Sequence, residues 1–198
     1  MSEVTTYYLD MRSPSSLKGK EEPRGLQVCE CEIKQFQFSR FLYQFVGKDW
    51  DWTDKLSWSD EQWEAYAEKD NLKTWVAYYK GSPAGYYELQ RQDDGNVEIT
   101  SFGLASKFIG QGFGGYLLSQ AIKSAWEWKG TERVWVHTCT LDHPSALQNY
   151  KARGMEVYRS ETAIGIGTPL PHHCSYGTVS GGSADQAGSS HGTDSLSE

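Results

Sequence analysis

The sequence has no uninterrupted run of about 20 apolar residues, the length that an α-helix needs to cross a bilayer. Its start, MSEVTTYYLDMR, has no basic stretch followed by an apolar stretch, which is the pattern of a secretory signal. These absences argue against membrane insertion and against export. We therefore expect a cytoplasmic protein without a membrane partner.

Positive charge is also scarce. The chain carries 19 Lys and Arg residues against 26 Asp and Glu residues, which gives a net charge of −7. A general nucleic-acid binder needs clustered cations that neutralise phosphates, and this composition offers no such surplus. We therefore expect no nucleic-acid partner.

Cysteine pairs at the spacing of a redox or zinc site are missing. The chain has four cysteines, none of them part of a Cys-x-x-Cys motif: Cys29, Cys31, Cys139 and Cys174. We expect free, buried thiols. His172 and His173 stand next to Cys174, but three adjacent residues in a flexible segment rarely close a tetrahedral site. The sequence thus predicts no bound metal.

Composition favours one domain. The 198 residues are 38% hydrophobic and 14% aromatic, which is enough apolar material for a single core. The segment 165–198 is rich in Gly, Ser and Thr and has no apolar periodicity, so we expect a disordered tail there. The segment 1–24 is expected to be irregular. The folded domain should then span residues 25–164.

Apolar residues in this domain switch repeatedly between the two-residue period of a strand and the 3.6-residue period of a helix. Ser59 and Gln62 form a capping box that begins the second helix. The predicted order is βααβββαβαβ, with strands at 26–33, 74–79, 84–89, 97–104, 133–138 and 155–158, and helices over 36–46, after Ser59, over 112–128 and over 145–151. This order is typical of an α/β (α+β) fold with a mixed, mostly antiparallel central sheet flanked by helices.

A glycine-rich segment, FIGQGFGGYLL at 108–118, joins the strand 97–104 to the longest predicted helix. Glycines allow successive backbone N–H groups to turn toward one point, and a helix N-terminus adds partial positive charge. Such a segment can bind a phosphate or a diphosphate. The chemistry of the ligand is not specified by the glycines alone.

Several interpretations of this segment compete. Gly110, Gly112 and Gly115 fit the Gly-x-Gly-x-x-Gly spacing of a dinucleotide site, but they follow a meander of strands, and the acidic Glu132 opens the next strand. A nucleotide P-loop would need a Lys-Ser or Lys-Thr pair after the glycines, and none is present. The glycines also fit a tight strand-to-helix turn with no ligand.

Another interpretation rests on similarity to a known family. The segment 102–118 resembles motif A of the GNAT superfamily, whose strand, Arg/Gln-x-x-Gly-x-Gly/Ala loop and helix hold the diphosphate and pantetheine of acyl-CoA. Gly112 and Gly114 take the two glycine positions. Ile109 and Ser106 stand where the family usually has Arg or Gln and often has Pro. The backbone amides are retained.

A second segment, HPSALQNYKARGM at 143–155, resembles motif B of the same family. Ala146, Tyr150 and Gly154 fall in register, and His143 replaces a common Asn. Two motifs in the expected order, with a predicted strand between them, identify the chain as a member of the GNAT superfamily. The resemblance implies a single GNAT-like domain with acetyl-CoA as cosubstrate.

The resemblance also implies which residues hold that cosubstrate. The strand before the glycine segment separates from its neighbour in this fold, so its backbone groups at Phe102 and Leu104 bind pantetheine and the acyl carbonyl. The backbone N–H groups that hold the diphosphate belong to five consecutive residues: Gln111, Gly112, Phe113, Gly114 and Gly115.

Two residues are candidates for proton transfer. Glu98 is predicted to share a strand face with Phe102 and Leu104, and it resembles the family carboxylate that draws the amine proton through water. Tyr150 matches the tyrosine that protonates the departing thiolate. Glu98 is equally compatible with a solvated strand residue, and Tyr150 with a core tyrosine.

Candidates for acceptor binding lie at two places. His137, Asp142 and His143 surround the end of the strand 133–138, where a histidine can transfer protons or hydrogen-bond the substrate. The run Trp50, Asp51 and Trp52 combines a carboxylate with indoles, which suits a cationic amine. The alternatives are a structural histidine and an acidic loop whose tryptophans pack inward.

Together these residues predict an N-acetyltransferase that acylates a primary amine of a small molecule. The family resemblance implies that the amine attacks directly in a ternary complex. We consider a small-molecule amine as the binding partner, and a homodimer is compatible with the sequence. Two other functions remain as alternatives: a catalytically weak domain that binds acyl-CoA as a sensor or partner module, and a dinucleotide oxidoreductase.

Overall fold

The computed structural model of the chain describes residues 3–50 and 52–164. These residues form seven strands and four α-helices. The strands are β1 (Glu3–Met11), β2 (Leu26–Glu30), β3 (Leu72–Tyr79), β4 (Ser82–Arg91), β5 (Asn96–Leu104), β6 (Arg133–Cys139) and β7 (Glu156–Ile164). The helices are α1 (Phe36–Gly47), α2 (Asp60–Ala67), α3 (Phe113–Glu127) and α4 (Ala146–Ala152).

All seven strands belong to one sheet in the order β2-β3-β4-β5-β6-β1-β7. Only the neighbours β5 and β6 are parallel, and the other pairs are antiparallel. The predicted fold class, a mixed and mostly antiparallel sheet flanked by helices, is therefore confirmed.

Helices pack on both faces of the sheet. On the α3 face the core includes Leu117, Leu118 and Ile122, which follow the helical period of α3. On the opposite face α1 and α2 bury a separate, aromatic-rich cluster: Leu42, Tyr43, Val46, Trp52, Trp63, Val76 and Tyr86. The predicted capping box of α2 is present, since Ser59 and Gln62 exchange side chain–backbone hydrogen bonds. None of the described helices has the length and apolarity required to span a membrane.

The expectation of an irregular segment over 1–24 is wrong for its first part, because residues 3–11 form β1. This strand lies between β6 and β7 and is antiparallel to both. Its sequence, EVTTYYLDM, is rich in β-branched and aromatic residues, which favour extended backbone. Tyr7, Leu9 and Met11 pack into the core on the α3 side, but residues 5–8 are all only partly buried, so the period-two pattern is too weak to predict the strand.

A bulge in β5 overturns the predicted face of Glu98. Glu88 of β4 pairs with Ser101, whereas the next residue, Leu89, pairs with Ile99, so Thr100 is an extra residue. The side chains before and after Thr100 consequently change faces. Glu98 faces the side of α1 and α2, while Phe102 and Leu104 pack on the α3 side.

The parallel pairing of β5 and β6 is short. It joins residues 96–98 to residues 133–135, and beyond these pairs the strands separate. Among the described residues, no other strand takes this edge of β5. Backbone N–H and C=O groups over 99–104 are therefore open to a ligand on that edge. The separation that the family resemblance implied is confirmed.

The predictions for cysteine are partly wrong. Cys29, Cys31 and Cys139 are free thiols, but Cys29 is exposed and the other two are half-buried. Cys29 lies on β2, an edge strand of the sheet. Cys174, its neighbours His172 and His173, and the tail 165–198 lie outside the described residues.

Candidate active site

A cavity of about 740 Å³ lies where β5 and β6 separate. It reaches from the α1 side of the sheet, where Trp50 and Trp52 border it, to the glycine turn and α4 on the other side. Most of the residues predicted to bind ligands line it: Trp50, Trp52, Phe102, Leu104, Gly112, Gly114, Gly115, His137, Asp142, His143 and Tyr150. The cavity thus crosses the sheet and connects the predicted donor and acceptor sites.

Four predicted residues are placed otherwise. Asp51 lies outside the described residues. The Phe113 side chain is buried in the core beside Tyr79, with the two ring centroids 5.0 Å apart. The Gln111 amide donates to the carbonyl of Lys107 at 2.9 Å. These last two contacts anchor the glycine turn, so only the backbone groups of both residues are left to bind a ligand.

Glu98 is the fourth predicted site residue that does not line the cavity.

The glycine turn requires glycine at two positions. Gly110 and Gly112 both have φ of +82°, a conformation that costs other residues about 1 kcal/mol or more. Gly112 is the N-cap of α3, and the first turn of that helix contains no acidic residue. Its partial positive charge is therefore not neutralised locally and is directed at the cavity.

Glu98 and His137 form a buried pair at the other end of the cavity. Their exposures are 2% and 9%, and Glu98 Oε1 lies 3.4 Å from His137 Nδ1. Neither of these two atoms has a hydrogen-bond partner among the described residues. His137 lines the cavity and Glu98 lies behind it. Since Nδ1 faces the carboxylate, Nε2 is the imidazole nitrogen that faces the cavity.

Neighbouring side chains fix the orientation of Glu98. The amide of Gln92 donates to Glu98 Oε2 at 2.7 Å, and the indole N–H of Trp135 donates to Gln92 Oε1 at 3.0 Å. One carboxylate oxygen is thus held by a hydrogen-bonded chain, and the other is left for His137. The sequence prediction did not include Gln92 or Trp135, because their contact depends on how β6 aligns with β5.

Tyr150 lines the cavity from α4. It is 5% exposed, and its ring centroid is 6.0 Å from that of Phe102 on β5. Asn149, the preceding residue, donates from its amide to the carbonyl of Gly114 at 3.2 Å. This bond joins α4 to the first turn of α3, so the tyrosine and the glycine turn keep a fixed separation.

Asp142 and His143 have structural contacts in addition to their place in the cavity wall. Asp142 Oδ2 accepts from the Thr138 hydroxyl at 2.6 Å and from the Cys139 backbone N–H at 3.0 Å. His143 Nδ1 accepts from the Ser145 backbone N–H at 3.1 Å, so a neutral His143 carries its proton on Nε2. Asp142 therefore closes the end of β6 and is not paired with His143.

The two tryptophans differ. Trp50 packs edge-on against His143, with the ring centroids 5.0 Å apart at the cavity rim. Trp52 is 8% exposed and packs into the aromatic cluster beside Tyr43 and Tyr86, so the inward-packing alternative applies to most of its surface. Only Trp50 presents an indole broadly at the cavity mouth.

Behind Trp52 lies a buried polar cluster that the sequence prediction missed. Lys55 is 1% exposed, 3.2 Å from Asp54, and its ammonium is 4.9 to 5.5 Å from three aromatic ring centroids: Tyr43, Trp58 and Tyr66. Glu88 is also buried, and burial raises its pKa, an effect that the charge of Lys55 opposes. A lysine in a polar loop is normally exposed, so no local signal predicts this cluster.

Two cations at the far end of the cavity were missed as well. Lys20 and Arg153 line it beside Gly115. Lys20 belongs to the segment that was expected to be irregular, and Arg153 ends the motif B helix. Among the described residues, no group of three or more His, Cys, Asp or Glu side chains is arranged to hold a metal ion.

Comparison with protein families gives one match. Residues 34–155 match the family model described as the acetyltransferase (GNAT) family, which is more than half of the chain. The match includes β3 to β6, the glycine turn, α3 and α4. No curated protein matches the chain significantly.

Solved structures with the same fold are distant in sequence. A GCN5-related N-acetyltransferase from Kribbella flavida is 18% identical with a TM-score of 0.59, and the match covers 80% of this chain and 56% of that one. A GCN5-related N-acetyltransferase from Sphaerobacter thermophilus is 16% identical with a TM-score of 0.60, covering 79% and 49%. A putative GNAT-family acetyltransferase from Novosphingobium aromaticivorans is 12% identical with a TM-score of 0.52, covering 82% and 63%.

This chain therefore spans about half to three fifths of the length of these proteins. At such identities the similarity shows the fold alone.

Proposed function

The chain belongs to the acetyltransferase (GNAT) family, and on this basis we propose that it is an N-acetyltransferase that moves the acetyl group of acetyl-CoA to a primary amine of a small molecule. The reaction proceeds by direct attack in a ternary complex. The observation that carries this proposal is the cavity through the sheet, which is lined by the glycine turn on one side of the sheet and by His137, with Glu98 behind it, on the other.

The donor side of the cavity suits acyl-CoA. Helix α3 directs an unneutralised N-terminus at the cavity, where its amides can hold a diphosphate. The open edge of β5 over 99–104 offers backbone groups of the kind that pair with the amides of pantetheine. Binding on this edge would bring the thioester toward Tyr150 and His137.

The acceptor side suits a deprotonated amine. We propose that His137 Nε2 takes one proton from the amine nitrogen as that nitrogen forms its bond to the thioester carbon. The carboxylate of Glu98, 3.4 Å from Nδ1, stabilises the imidazolium that results. Glu98 in this proposal assists proton removal through His137.

Collapse of the tetrahedral intermediate breaks the carbon–sulfur bond. The Tyr150 hydroxyl gives its proton to the departing thiolate, and solvent returns a proton to Tyr150 and removes one from His137. The products are an N-acetylamide and free CoA, with no covalent enzyme intermediate. The position of Tyr150 beside Phe102, on the strand with the open edge, supports this role.

The same geometry favours an enzyme over a binding module. A module that only senses acyl-CoA needs the glycine turn and the strand edge. It has no need for a buried carboxylate and imidazole with unsatisfied hydrogen-bonding atoms, because such atoms lower stability. The Glu98–His137 pair therefore supports catalysis.

The test is release of free CoA thiol from acetyl-CoA across a panel of polyamines, amino acids, aminoglycosides and small peptides. We expect release with at least one amine, together with the acetylated product by mass spectrometry. If no amine is acetylated, calorimetry with CoA shows whether the protein still binds the cosubstrate. Binding without turnover on any amine would favour the module, and absence of binding would reject the family's cosubstrate for this chain.

The chain offers a matched control for the binding step. Gly112 and Gly81 both have φ of +82° and would both place a Cβ in open space, so alanine strains the two positions alike. Only Gly112 lies at the glycine turn. We expect Gly112→Ala to weaken CoA binding by about tenfold or more, while Gly81→Ala leaves it unchanged. Equal effects would place CoA elsewhere.

A further inference from the structure

Two cationic side chains flank the first turn of α3. A Cβ placed on Gly115 would lie 2.6 Å from Arg153 Nη1 and 2.8 Å from Lys20 Cδ, so both side chains lie directly against this glycine. Both also line the cavity. Gly115 is the third residue of the helix, so the two cations lie beside the helix N-terminus and add to its positive potential.

Arg153 is buried, and part of its guanidinium has no partner within the described part of the chain. Its exposure is 9%, and its Nε and Nη1 groups make no hydrogen bond with any described residue. The ion pairs that form within residues 3–50 and 52–164 include neither Arg153 nor Lys20. A buried guanidinium beside an ammonium and a helix N-terminus is electrostatically unfavourable unless an anion lies among them.

The backbone holds this arrangement in place. Lys18 N–H donates to the carbonyl of Arg153 at 2.9 Å, and Lys20 N–H donates to the Ser119 hydroxyl at 2.9 Å. The carbonyl of Ser16 packs so closely on Gly154 that a Cβ there would lie 2.0 Å away. The segment before β2 is thus fixed against both α3 and α4. Lys20 owes its position to these contacts.

We propose that Lys20 and Arg153 bind a phosphate monoester of the acyl donor, the 3′-phosphate on the ribose of CoA, separately from the diphosphate at the glycine turn. This inference rests on the proposed function. A phosphate monoester carries a charge of about −2 near neutral pH, which two cations can neutralise. Arg153 also lines the cavity, and the planar array of N–H donors on a guanidinium matches the oxygens of a phosphate.

A site for the 3′-phosphate should make the protein bind CoA in preference to dephospho-CoA. Dephospho-CoA keeps the diphosphate and pantetheine but lacks the 3′-phosphate, so it should lose only the contacts of Lys20 and Arg153. We expect wild-type protein to bind CoA about tenfold or more tightly than dephospho-CoA in calorimetry, the size of one charge-assisted contact. Inorganic phosphate should weaken CoA binding more than it weakens dephospho-CoA binding.

The decisive variant is Lys20→Ala. The side chain of Lys20 is exposed, and truncation keeps the backbone N–H that bonds Ser119, so folding should be preserved. We expect the preference for CoA over dephospho-CoA to fall to about twofold or threefold, because CoA binding weakens and dephospho-CoA binding does not. Lys18→Ala is the matched control from the same segment, and it should keep the wild-type preference.

Arg153→Lys extends the test, since it keeps the charge but removes the planar pair of donors; we expect an intermediate preference. Three results would overturn the inference. The first is equal binding of both ligands by wild-type protein. The second is an equal weakening of both ligands by Lys20→Ala, which would assign the cations to the diphosphate. Failure of wild-type protein to bind either ligand would reject the proposed function together with this inference.

Discussion

Two glutamates on neighbouring strands are equally buried and yet differ in their surroundings. Glu88 of β4 and Glu98 of β5 are each 2% exposed and lie on the same face of the sheet. Glu88 accepts hydrogen bonds from three hydroxyls: Tyr66 at 2.9 Å, Ser101 at 3.2 Å and Thr74 at 3.3 Å. Glu98 accepts one, from Gln92, and faces His137 at 3.4 Å with its other oxygen.

The difference separates a structural carboxylate from one that is available for chemistry. The acceptor capacity of Glu88 is satisfied inside the protein, and no part of Glu88 borders the cavity. Glu98 keeps an oxygen without a good hydrogen bond, next to an imidazole that does border the cavity. A buried carboxylate whose oxygens all accept hydrogen bonds stabilises the fold. A carboxylate that keeps an oxygen without a hydrogen bond beside a cavity can respond to a charge that develops there.

The largest effect is expected for the Glu98–His137 pair, when its imidazole is removed. His137→Asn keeps a polar side chain beside Glu98 but removes the proposed proton acceptor, so kcat/KM for the amine should fall about 10²- to 10⁴-fold. The thermal unfolding midpoint should stay close to that of wild type. Thiol release and differential scanning fluorimetry measure the two quantities.

The control for His137 lies on the same cavity wall. His143→Asn removes an imidazole that has no carboxylate partner and should cost less activity. Glu98→Gln should lower kcat and leave KM for acetyl-CoA unchanged, because Glu98 acts through His137. Wild-type turnover in His137→Asn, or an equal loss in His143→Asn, would contradict the proposed proton path.

A smaller effect, on stability, is expected when the hydrogen-bonded carboxylate of Glu88 is removed. Glu88→Ala removes the acceptor of three hydroxyls and a counter-charge for buried Lys55, so the free energy of unfolding should fall by about 3–5 kcal/mol. Glu98→Ala removes a single full hydrogen bond and should cost only about 1–2 kcal/mol. Urea unfolding of both variants measures the contrast. Similar losses would show that the two sites do not differ as described.

The smallest expected effect is a pH dependence of the free energy of unfolding that comes from Glu88. Burial raises the pKa of Glu88 above its ordinary value of 4.5, although Lys55 and the three hydroxyls partly offset the shift. The folded protein therefore binds more protons than the unfolded chain between the two pKa values. Within that window stability decreases as pH rises, by at most about 1.4 kcal/mol per pH unit.

Glu88→Gln cannot titrate and provides the reference. The free energy of unfolding of wild type, relative to that of Glu88→Gln, should fall as pH is raised from about 4.5 through the folded pKa. Urea titrations at half-unit pH steps measure this difference. A constant or rising difference would mean that the folded state does not favour the protonated carboxyl.

Local signals made much of the fold predictable. The capping box at Ser59, the β3–β4 hairpin and the glycine turn before α3 each depend on residues adjacent in the chain, and all three are present. Motif order added the separation of β5 from β6. Such local patterns are reliable because their contacts join residues that are close in sequence and do not depend on how distant segments pack.

Features set by distant contacts were not predictable in the same way. The extra residue Thr100 has no signature in the sequence, yet it moves Glu98 to the face opposite Phe102. The Glu98–His137 contact depends on the alignment of two strands, and the burial of Lys55 depends on aromatic residues from α1, α2 and their connection. The roles assigned to individual side chains remain predictions.

The position of β1 has a consequence for how the protein is made. Residues 3–11 are synthesised before the rest of the described chain, but they pair with 134–139 and 156–164, which are among the last described residues to be synthesised. Until then both edges of this strand lack their partners and are exposed to association with other chains. Such long-range pairing makes folding slow, so chaperone supply and translation speed should affect the yield of native protein.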